Sequence, residues 1–176
     1  NIRSIFFGQN DVVWFGTENG LSKLESNGIW TNYSDPKLLN KAVLTINEFK
    51  NQLILSVYGE GILLFNPKLG KTIQISLSEN PTKSKEVFST YVNDNEFWIG
   101  GFDGPVKHFV DAKLSHTYRT GNARTIISGN NGLIYVGTPT GLFEINKLTK
   151  TLTNIESDNS DYLNQIYALN FDKMYN

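Results

Sequence analysis

Trp14-Phe15-Gly16-Thr17-Glu18-Asn19-Gly20-Leu21 is a short apolar strand that runs into a glycine-closed turn, and the chain contains this arrangement four times. The other copies are Leu55–Ile62, Trp98–Pro105 and Tyr135–Leu142. Their closing glycines are Gly20, Gly61, Gly104 and Gly141. These glycines stand roughly 40 residues apart, a period that accommodates four short strands and their turns. The chain is therefore an internal repeat.

Each repeat contains four alternating segments that read as strands. Strand one is Ile2–Phe7, Ala42–Phe49, Val87–Val92 and Ala123–Ser128, and a turn rich in Asn, Asp and Gly joins it to strand two. Strand three is Leu21–Leu24, Ile62–Phe65, Val106–Phe109 and Leu142–Ile145, and strand four is Ile29–Tyr33, Thr72–Leu77, Leu114–Tyr118 and Thr151–Ile155. Such a sheet buries both faces only by stacking on further copies. The pattern predicts an all-β fold, a β-propeller fragment of about four four-stranded antiparallel blades.

The predicted blades span about 1–36, 37–81, 82–120 and 121–160, and residues 161–176 begin a fifth. Gln165–Asp172 repeats the spacing of Ile2–Asp11 and is predicted to be the first strand of that unit. Both chain ends then supply a strand of the same type. This favours a piece of a larger propeller with two exposed sheet edges. A self-closing ring of four blades and an edge-to-edge pair of fragments remain as alternatives.

Large rings are expected to fill the space between neighbouring sheets, because an aromatic side chain buries more area than an aliphatic one. Trp14, Trp98 and Tyr135 occupy equivalent places, and Leu55 is expected to replace them in the second copy. That copy also has Val57 where the others have glycine, so its turn is expected to differ. In the first connecting loop, Leu38 and Leu39 are expected either to pack beneath the loop or to lie in an interface.

Composition excludes several partners and cofactors. The net charge is −1 and no cluster of basic residues occurs, so a nucleic-acid partner is not expected. Cysteine is absent, which removes disulfides and thiolate metal sites. His108 and His116 lack metal-ligand spacing, so neither a metal nor any other cofactor is predicted. The apolar stretches are too short for a membrane helix, so any membrane contact is expected through other sequence.

The repeat resembles a known family. Asn10–Leu24 is similar to the two-component regulator propeller repeat, in which a turn is followed by Leu-Trp-Ile-Gly-Thr, two variable residues and Gly-Leu. Phe97–Gly100 and Tyr135–Leu142 match nearly as well. The departures are Val57 in place of glycine, Tyr58 and Gly101 in place of threonine, and Pro105 in place of leucine.

The resemblance implies a role in signalling. Such repeats form the periplasmic sensor region of hybrid two-component systems in Bacteroides-type bacteria. There, seven-bladed propellers precede an immunoglobulin-like domain, a membrane helix, a histidine kinase and a DNA-binding regulator, and the systems respond to oligosaccharides. The implied partners are an oligosaccharide, the remaining blades, a second propeller and, as a further option, a second copy of the chain. No kinase motif lies in this sequence, so that activity would lie outside it.

A ligand is expected at the turns between strands two and three, because propellers present these turns on one face. Sugars are recognised by carboxylates and amides beside an aromatic ring, and strand-one arginines at matching places would line the central channel. The candidate ligand-binding residues are Arg3, Glu18, Asn19, Tyr58, Glu60, Phe102, Asp103 and Arg124.

Two other functions remain as alternatives. Glu60 and Asp103 on adjacent blades are the pair that a glycosidase or lyase-like enzyme would use, but no catalytic residue is predicted. Ser115 and His116 are neighbours, so alternation directs their side chains to opposite faces. A purely structural propeller that spaces other domains is the second alternative.

Overall fold

The structure is a computed structural model that describes residues 1–75, 86–102, 104–156 and 165–170. Within these ranges the regular secondary structure consists of sixteen β-strands, which form four four-stranded antiparallel sheets. The prediction of an all-β fold with four propeller-like blades is confirmed.

Each sheet is one blade, and its strands follow chain order from the inner to the outer edge. Blade 1 contains β1 (Ile2–Phe7), β2 (Val13–Thr17), β3 (Gly20–Leu24) and β4 (Trp30–Asn32). Blade 2 contains β5 (Val43–Phe49), β6 (Gln52–Val57), β7 (Gly61–Asn66) and β8 (Lys71–Gln74). Blade 3 contains β9 (Val87–Asn93), β10 (Glu96–Gly101), β11 (Val106–Val110) and β12 (Lys113–Tyr118). Blade 4 contains β13 (Thr125–Ser128), β14 (Leu133–Thr138), β15 (Gly141–Asn146) and β16 (Thr151–Ile155).

The blades stack in sequence order with their first strands innermost. Strand β1 contacts β5, β5 contacts β9, and β9 contacts β13. Three apolar cores lie between successive blades. Leu38 is completely buried in the core between blades 1 and 2, whereas Leu39 is half exposed. Leu38 therefore packs beneath the connecting loop, which is the first of the two expectations for these leucines.

Alternation along the second strand decides which blade each side chain meets. Trp14 faces blade 2, where its ring packs edge-on against Phe65 with centroids 6.1 Å apart. Trp98 is fully buried in the core between blades 3 and 4. In blade 2 the equivalent residue is Ile54, which lies in the core shared with blade 3, while Leu55 packs back against blade 1. The expectation that Leu55 takes the aromatic position is wrong by one residue.

The cause of this error is turn length. Gly16 pairs with Leu21, and Gly137 pairs with Leu142, whereas in blade 2 the corresponding pair is Ser56 with Ile62. The turn of blade 2 holds the three residues 58–60, one more than the turns of blades 1 and 4. Counting back four residues from the closing glycine leads to Gly16 in blade 1 but to Val57 in blade 2. The residue of blade 2 that is equivalent to Gly16 is Ser56. In blade 3 the register pairs Trp98 with His108 and Ile99 with Lys107.

Small residues at this position let the next blade approach. A Cβ atom on Gly16 would lie 2.5 Å from the Val43 carbonyl oxygen, and one on Gly100 would lie 2.4 Å from the Ala123 Cβ. At the same place in blade 2, the Ser56 hydroxyl donates a hydrogen bond to the Val87 carbonyl. Each second strand therefore contacts the beginning of the following blade at a position that tolerates almost no side chain.

The segment after blade 4 continues this pattern without forming a strand. Residues 165–170 contain no assigned strand, so the predicted strand Gln165–Asp172 is not formed in its described part. The Gln165 and Ile166 amides nevertheless donate to the Pro139 and Thr138 carbonyls, both at 3.0 Å. Ile166 also lies against Gly137, as Ala123 lies against Gly100. The segment occupies the place where the first strand of another blade would begin.

The outer face of blade 1 is apolar and exposed. Ile5, Phe7 and Trp30 are 55%, 77% and 56% exposed, respectively. Phe15 packs on Trp30 with ring centroids 5.0 Å apart. This face is the one that would pack against a preceding blade, because the opposite face of the same sheet forms the core with blade 2.

We expect Gly100→Ala to destabilise the protein, because the added Cβ collides with Ala123 and lies 3.1 Å from Ile126 Cδ1. Overpacking of this kind costs about 1–3 kcal/mol. The matched control is Gly104→Ala, whose Cβ would meet only the Phe102 carbonyl oxygen, at 3.8 Å. Urea unfolding of both variants measures the difference. Equal stability of the two would show that the close approach between blades does not constrain the fold.

Candidate functional site

One end of the stacked sheets collects the residues selected from sequence. Strand two runs antiparallel to strand one, so the turn after strand two lies beside the beginning of strand one. The amides of Glu18, Tyr58 and Phe102 donate to the carbonyls of residues 1, 42 and 86, at 3.1, 2.9 and 3.0 Å. This end, termed the turn face, comprises residues 1–3, 18–19, 42–44, 58–60, 86–88, 102, 122–124, 139–140 and 165–167.

A repeated β-bulge presents one extra residue of each inner strand at the turn face. The ladder shifts register between Ile2 and Ser4, between Val43 and Thr45, and between Val87 and Ser89. The extra residues are Arg3, Leu44 and Phe88. Arg124 precedes β13 at the matching place. Bulges commonly redirect a side chain near a functional site.

In blade 1 the predicted ligand-binding residues Arg3 and Glu18 pair with each other. Arg3 Nη2 lies 2.5 Å from Glu18 Oε1, and Asn1 Nδ2 donates to Glu18 Oε2 at 3.0 Å. Asn19 is exposed, and its amide donates to the Thr17 hydroxyl at 3.0 Å within the turn. The arginine and carboxylate therefore form an exposed ion pair, in which each charge already has a partner.

Two exposed aromatic residues, one from blade 2 and one from blade 3, interact with Glu86. Tyr58 and Phe102 are 53% and 48% exposed. A hydrogen bond to the Glu86 carboxylate, together with its negative charge, raises the pKa of Tyr58. Phe102 is bonded to the Glu86 backbone through its amide. We call this group the Tyr58–Glu86–Phe102 cluster. Sequence reasoning missed Glu86, which lies just before an inner strand rather than in a turn.

The remaining predicted carboxylates contribute less to this cluster. The Glu60 carboxylate forms an ion pair with Lys41, and its backbone carbonyl accepts a hydrogen bond from Gln74 Nε2 at 3.3 Å. Asp103 lies outside the described residues. Of the two carboxylates that a glycosidase would use, Glu60 is therefore engaged in an ion pair, and Asp103 lies outside the described part of the chain.

Arg124 lies between two aromatic rings at the centre of the turn face. Its guanidinium carbon is 5.3 Å from the Phe88 centroid and 5.7 Å from the Tyr167 centroid. Its Nε atom is enclosed and has no hydrogen-bond partner among the described residues. Phe88 and Tyr167 were not selected from sequence. Their positions become evident only when the bulge residues are aligned between blades.

The described residues contain no cluster of three or more His, Asp or Glu side chains arranged to hold a metal. They also contain no helix that is both long and apolar enough to span a bilayer.

His108 has a structural environment away from the turn face. Its ring stacks on Trp98 with centroids 4.0 Å apart, and its Nε2 lies 2.9 Å from Glu96 Oε2. Lys147 Nζ of blade 4 contacts the other oxygen of Glu96 at 2.5 Å. Burial lowers the pKa of His108, although the neighbouring Glu96 carboxylate opposes this change. The group therefore joins blades 3 and 4 with a histidine that favours the neutral form.

Comparison with solved structures identifies proteins with the same fold. The chain superimposes on the extracellular domain of BT4673 from Bacteroides thetaiotaomicron with a TM-score of 0.74 and 20% identity. That protein is described as a one-component system for one solved structure and as a hybrid two-component system for another. For BT3049 of the same organism, also described as a hybrid two-component system, the TM-score is 0.69 and the identity is 24%. The matches cover 97% and 87% of this chain but only 26% and 23% of those domains.

Two designed proteins share the arrangement of sheets. The computationally designed Ika8 protein matches with a TM-score of 0.74 and 14% identity, over 98% of this chain and 53% of its own. Ika4, also designed, matches with a TM-score of 0.65 and 13% identity, over 89% of this chain and 92% of its own. Comparison with protein-family models and with curated proteins gives no match. These likenesses establish the fold.

We expect the protein to lose stability as the pH falls through about 6.5, the ordinary pKa of histidine. The unfolded chain then binds a proton that buried His108 resists, which favours unfolding between that pH and the lower folded-state pKa. His108→Gln should reduce the loss between pH 7.5 and 5.5, measured by urea unfolding.

His116→Gln is the control, because it removes a histidine while His108 keeps its contacts with Trp98 and Glu96. The charge of His116 is the smallest of the causes that lower the His108 pKa, so this variant should retain most of the pH response of the wild-type protein. An unchanged response in His108→Gln would mean that His108 is not the group responsible.

Proposed function

We propose that this chain is a non-catalytic sensor module of a hybrid two-component system and that it binds an oligosaccharide on the turn face. The observation that carries the proposal is the Tyr58–Glu86–Phe102 cluster, in which Tyr58 interacts with the Glu86 carboxylate and exposed Phe102 is bonded to the Glu86 backbone. Support also comes from the natural structures with this fold, which are extracellular domains described as parts of such systems.

The chemistry of the cluster suits a sugar. Aromatic rings offer flat apolar faces to the C–H groups of a pyranose, while a fixed carboxylate accepts hydrogen bonds from its hydroxyls. Tyr58 and Phe102 expose about half of their surfaces, so both rings are accessible. The Tyr58 hydroxyl interacts with the Glu86 carboxylate, so a ligand that bonds to the carboxylate also lies near the Tyr58 ring.

The position of the cluster suits signalling. Tyr58 belongs to the turn of blade 2, whereas Glu86 and Phe102 belong to blade 3. A ligand that bridges them would favour one relative arrangement of the two blades, and such differential affinity is what a sensor requires. We place the module in the periplasm, with a histidine kinase beyond this segment. Catalysis is not part of the proposal, because Glu60 is paired with Lys41.

We further propose that the outer face of blade 1 packs against another blade of the same protein. The chain spans about a quarter of the length of the natural domains that it matches, so those domains extend well beyond the part that this segment matches. A second propeller and a second copy of the chain are the other partners that we consider for the protein.

Single changes in the cluster should weaken ligand binding. We expect Tyr58→Ala, Phe102→Ala and Glu86→Gln each to raise the Kd for the bound sugar by about tenfold, the loss of roughly 1–2 kcal/mol typical of a real contact. Isothermal titration of the full-length protein with a panel of neutral and acidic oligosaccharides measures this. Leu148→Ala, a change of an 84%-exposed residue in a turn at the opposite end, is the control.

Chromatography of the recovered sugar separates sensing from catalysis. An intact sugar is the expected result, and cleavage products would replace the sensor proposal with the enzyme alternative. Failure of every oligosaccharide to bind would leave the architectural propeller as the function. Binding that all three substitutions leave unchanged would move the site away from this cluster.

We expect Phe7→Asp to lower the stability of the full-length protein by about 2 kcal/mol or more, because a charge would be buried between two blades. Thermal unfolding measures the change, and sedimentation reports the mass. A neutral effect would mean that the face remains exposed. A dimer that Phe7→Asp dissociates would assign the face to a second copy instead.

A further inference from the structure

We infer that Arg124 binds the anionic group of an acidic sugar, so that the oligosaccharide proposed above carries a carboxylate or a sulfate. The inference rests on the proposed function and narrows its ligand class. The geometry that points to it is a guanidinium held between the Phe88 and Tyr167 rings at the centre of the turn face.

The two rings hold the guanidinium in place. Its central carbon lies within 6 Å of both ring centroids, the range in which a cation is attracted to an aromatic face. The rings come from blade 3 and from the segment after blade 4, so three parts of the chain meet at Arg124. A side chain fixed in this way loses little entropy when it binds a ligand.

The positive charge of Arg124 is not neutralised within the described part of the chain. No carboxylate there lies within ion-pair distance of Arg124, and its enclosed Nε lacks a hydrogen-bond partner. Arg3 provides an internal comparison, because it occupies the matching place in blade 1 and is paired with Glu18 at 2.5 Å. Blade 4 has Pro139 where blade 1 has Glu18. Blade 4 therefore has the arginine of blade 1 but not the carboxylate of its turn.

An acidic sugar supplies what the site lacks. A guanidinium presents parallel N–H donors that match two oxygens of a carboxylate or a sulfate, which a neutral hydroxyl cannot do. Tyr167 is 63% exposed, so one of its faces is available to the pyranose ring that carries the anion. The rings also limit water around the charge, which strengthens its attraction to an anion.

The test uses sugars that differ only in the anionic group. Digalacturonate is compared with α-1,4-linked galactobiose, and 6-O-sulfated N-acetyllactosamine is compared with unsulfated N-acetyllactosamine. Isothermal titration of the full-length protein gives the Kd for each. We expect at least one acidic sugar to bind about tenfold or more tightly than its matched partner, with an affinity that falls as salt increases. The pair that shows the preference distinguishes a carboxylate from a sulfate.

The arginine is tested by substitution. We expect Arg124→Gln to remove the preference for the acidic sugar, and Arg124→Lys to keep only part of it, because lysine retains the charge but not the planar donors. Lys113→Gln makes the same change of charge at the opposite end of blade 3 and should leave the preference intact. Nitrogen NMR of the Arg124 Nε in the wild-type protein, titrated with digalacturonate and with the sulfated N-acetyllactosamine, gives a readout that needs no variant.

The outcomes distinguish this inference from the function on which it rests. Equal affinity for charged and neutral members of each pair would overturn the inference and leave the oligosaccharide sensor standing. A preference that persists in Arg124→Gln, or an Arg124 Nε resonance that neither digalacturonate nor the sulfated N-acetyllactosamine shifts, would also overturn it. Failure of all sugars to bind would overturn both.

Discussion

The close approach of each second strand to the beginning of the next blade is the constraint on which this structure depends. Gly16, Ser56, Gly100 and Gly137 stand at the same ladder position, and there is little room for a side chain at any of them. Because the inner strands approach so closely, Trp14, Ile54 and Trp98 two residues earlier meet the facing sheet and fill the space between blades. The small residue therefore sets the spacing, and the large residue fills it. Close packing of the blades requires both residues.

The same geometry produces the turn face. Each of the inner strands β1, β5 and β9 is bulged at its second residue, which presents Arg3, Leu44 and Phe88 at the turn face. The strand-two turns lie beside these bulges because the two strands are antiparallel. Side chains from neighbouring blades consequently meet, and sites such as the Tyr58–Glu86–Phe102 cluster form at the seam between blades rather than within one of them.

The repeat in the sequence predicted the strands closely, because alternation and turn glycines are local signals. The register within the turns was not predictable in the same way. A turn that is one residue longer in blade 2 leaves the spacing of glycines almost unchanged, yet it moves the packing position from Leu55 to Ile54. The candidate site was predicted in part for a similar reason. Tyr58 and Phe102 carried a signal as turn residues, whereas Glu86, Phe88 and Tyr167 matter only through contacts between blades.

Divergence between the repeats explains how nearly equivalent positions acquire different chemistry. At the bulge, blade 1 has an arginine paired with a glutamate of its own turn, and blades 2 and 3 have Leu44 and Phe88. Blade 4 has an arginine that lies near two rings and has no carboxylate partner among the described residues. A fold made of identical units would distribute charge evenly around its centre. Because the backbone supplies the same place in every blade, single substitutions at that place change the chemistry that the turn face presents without altering the packing beneath it.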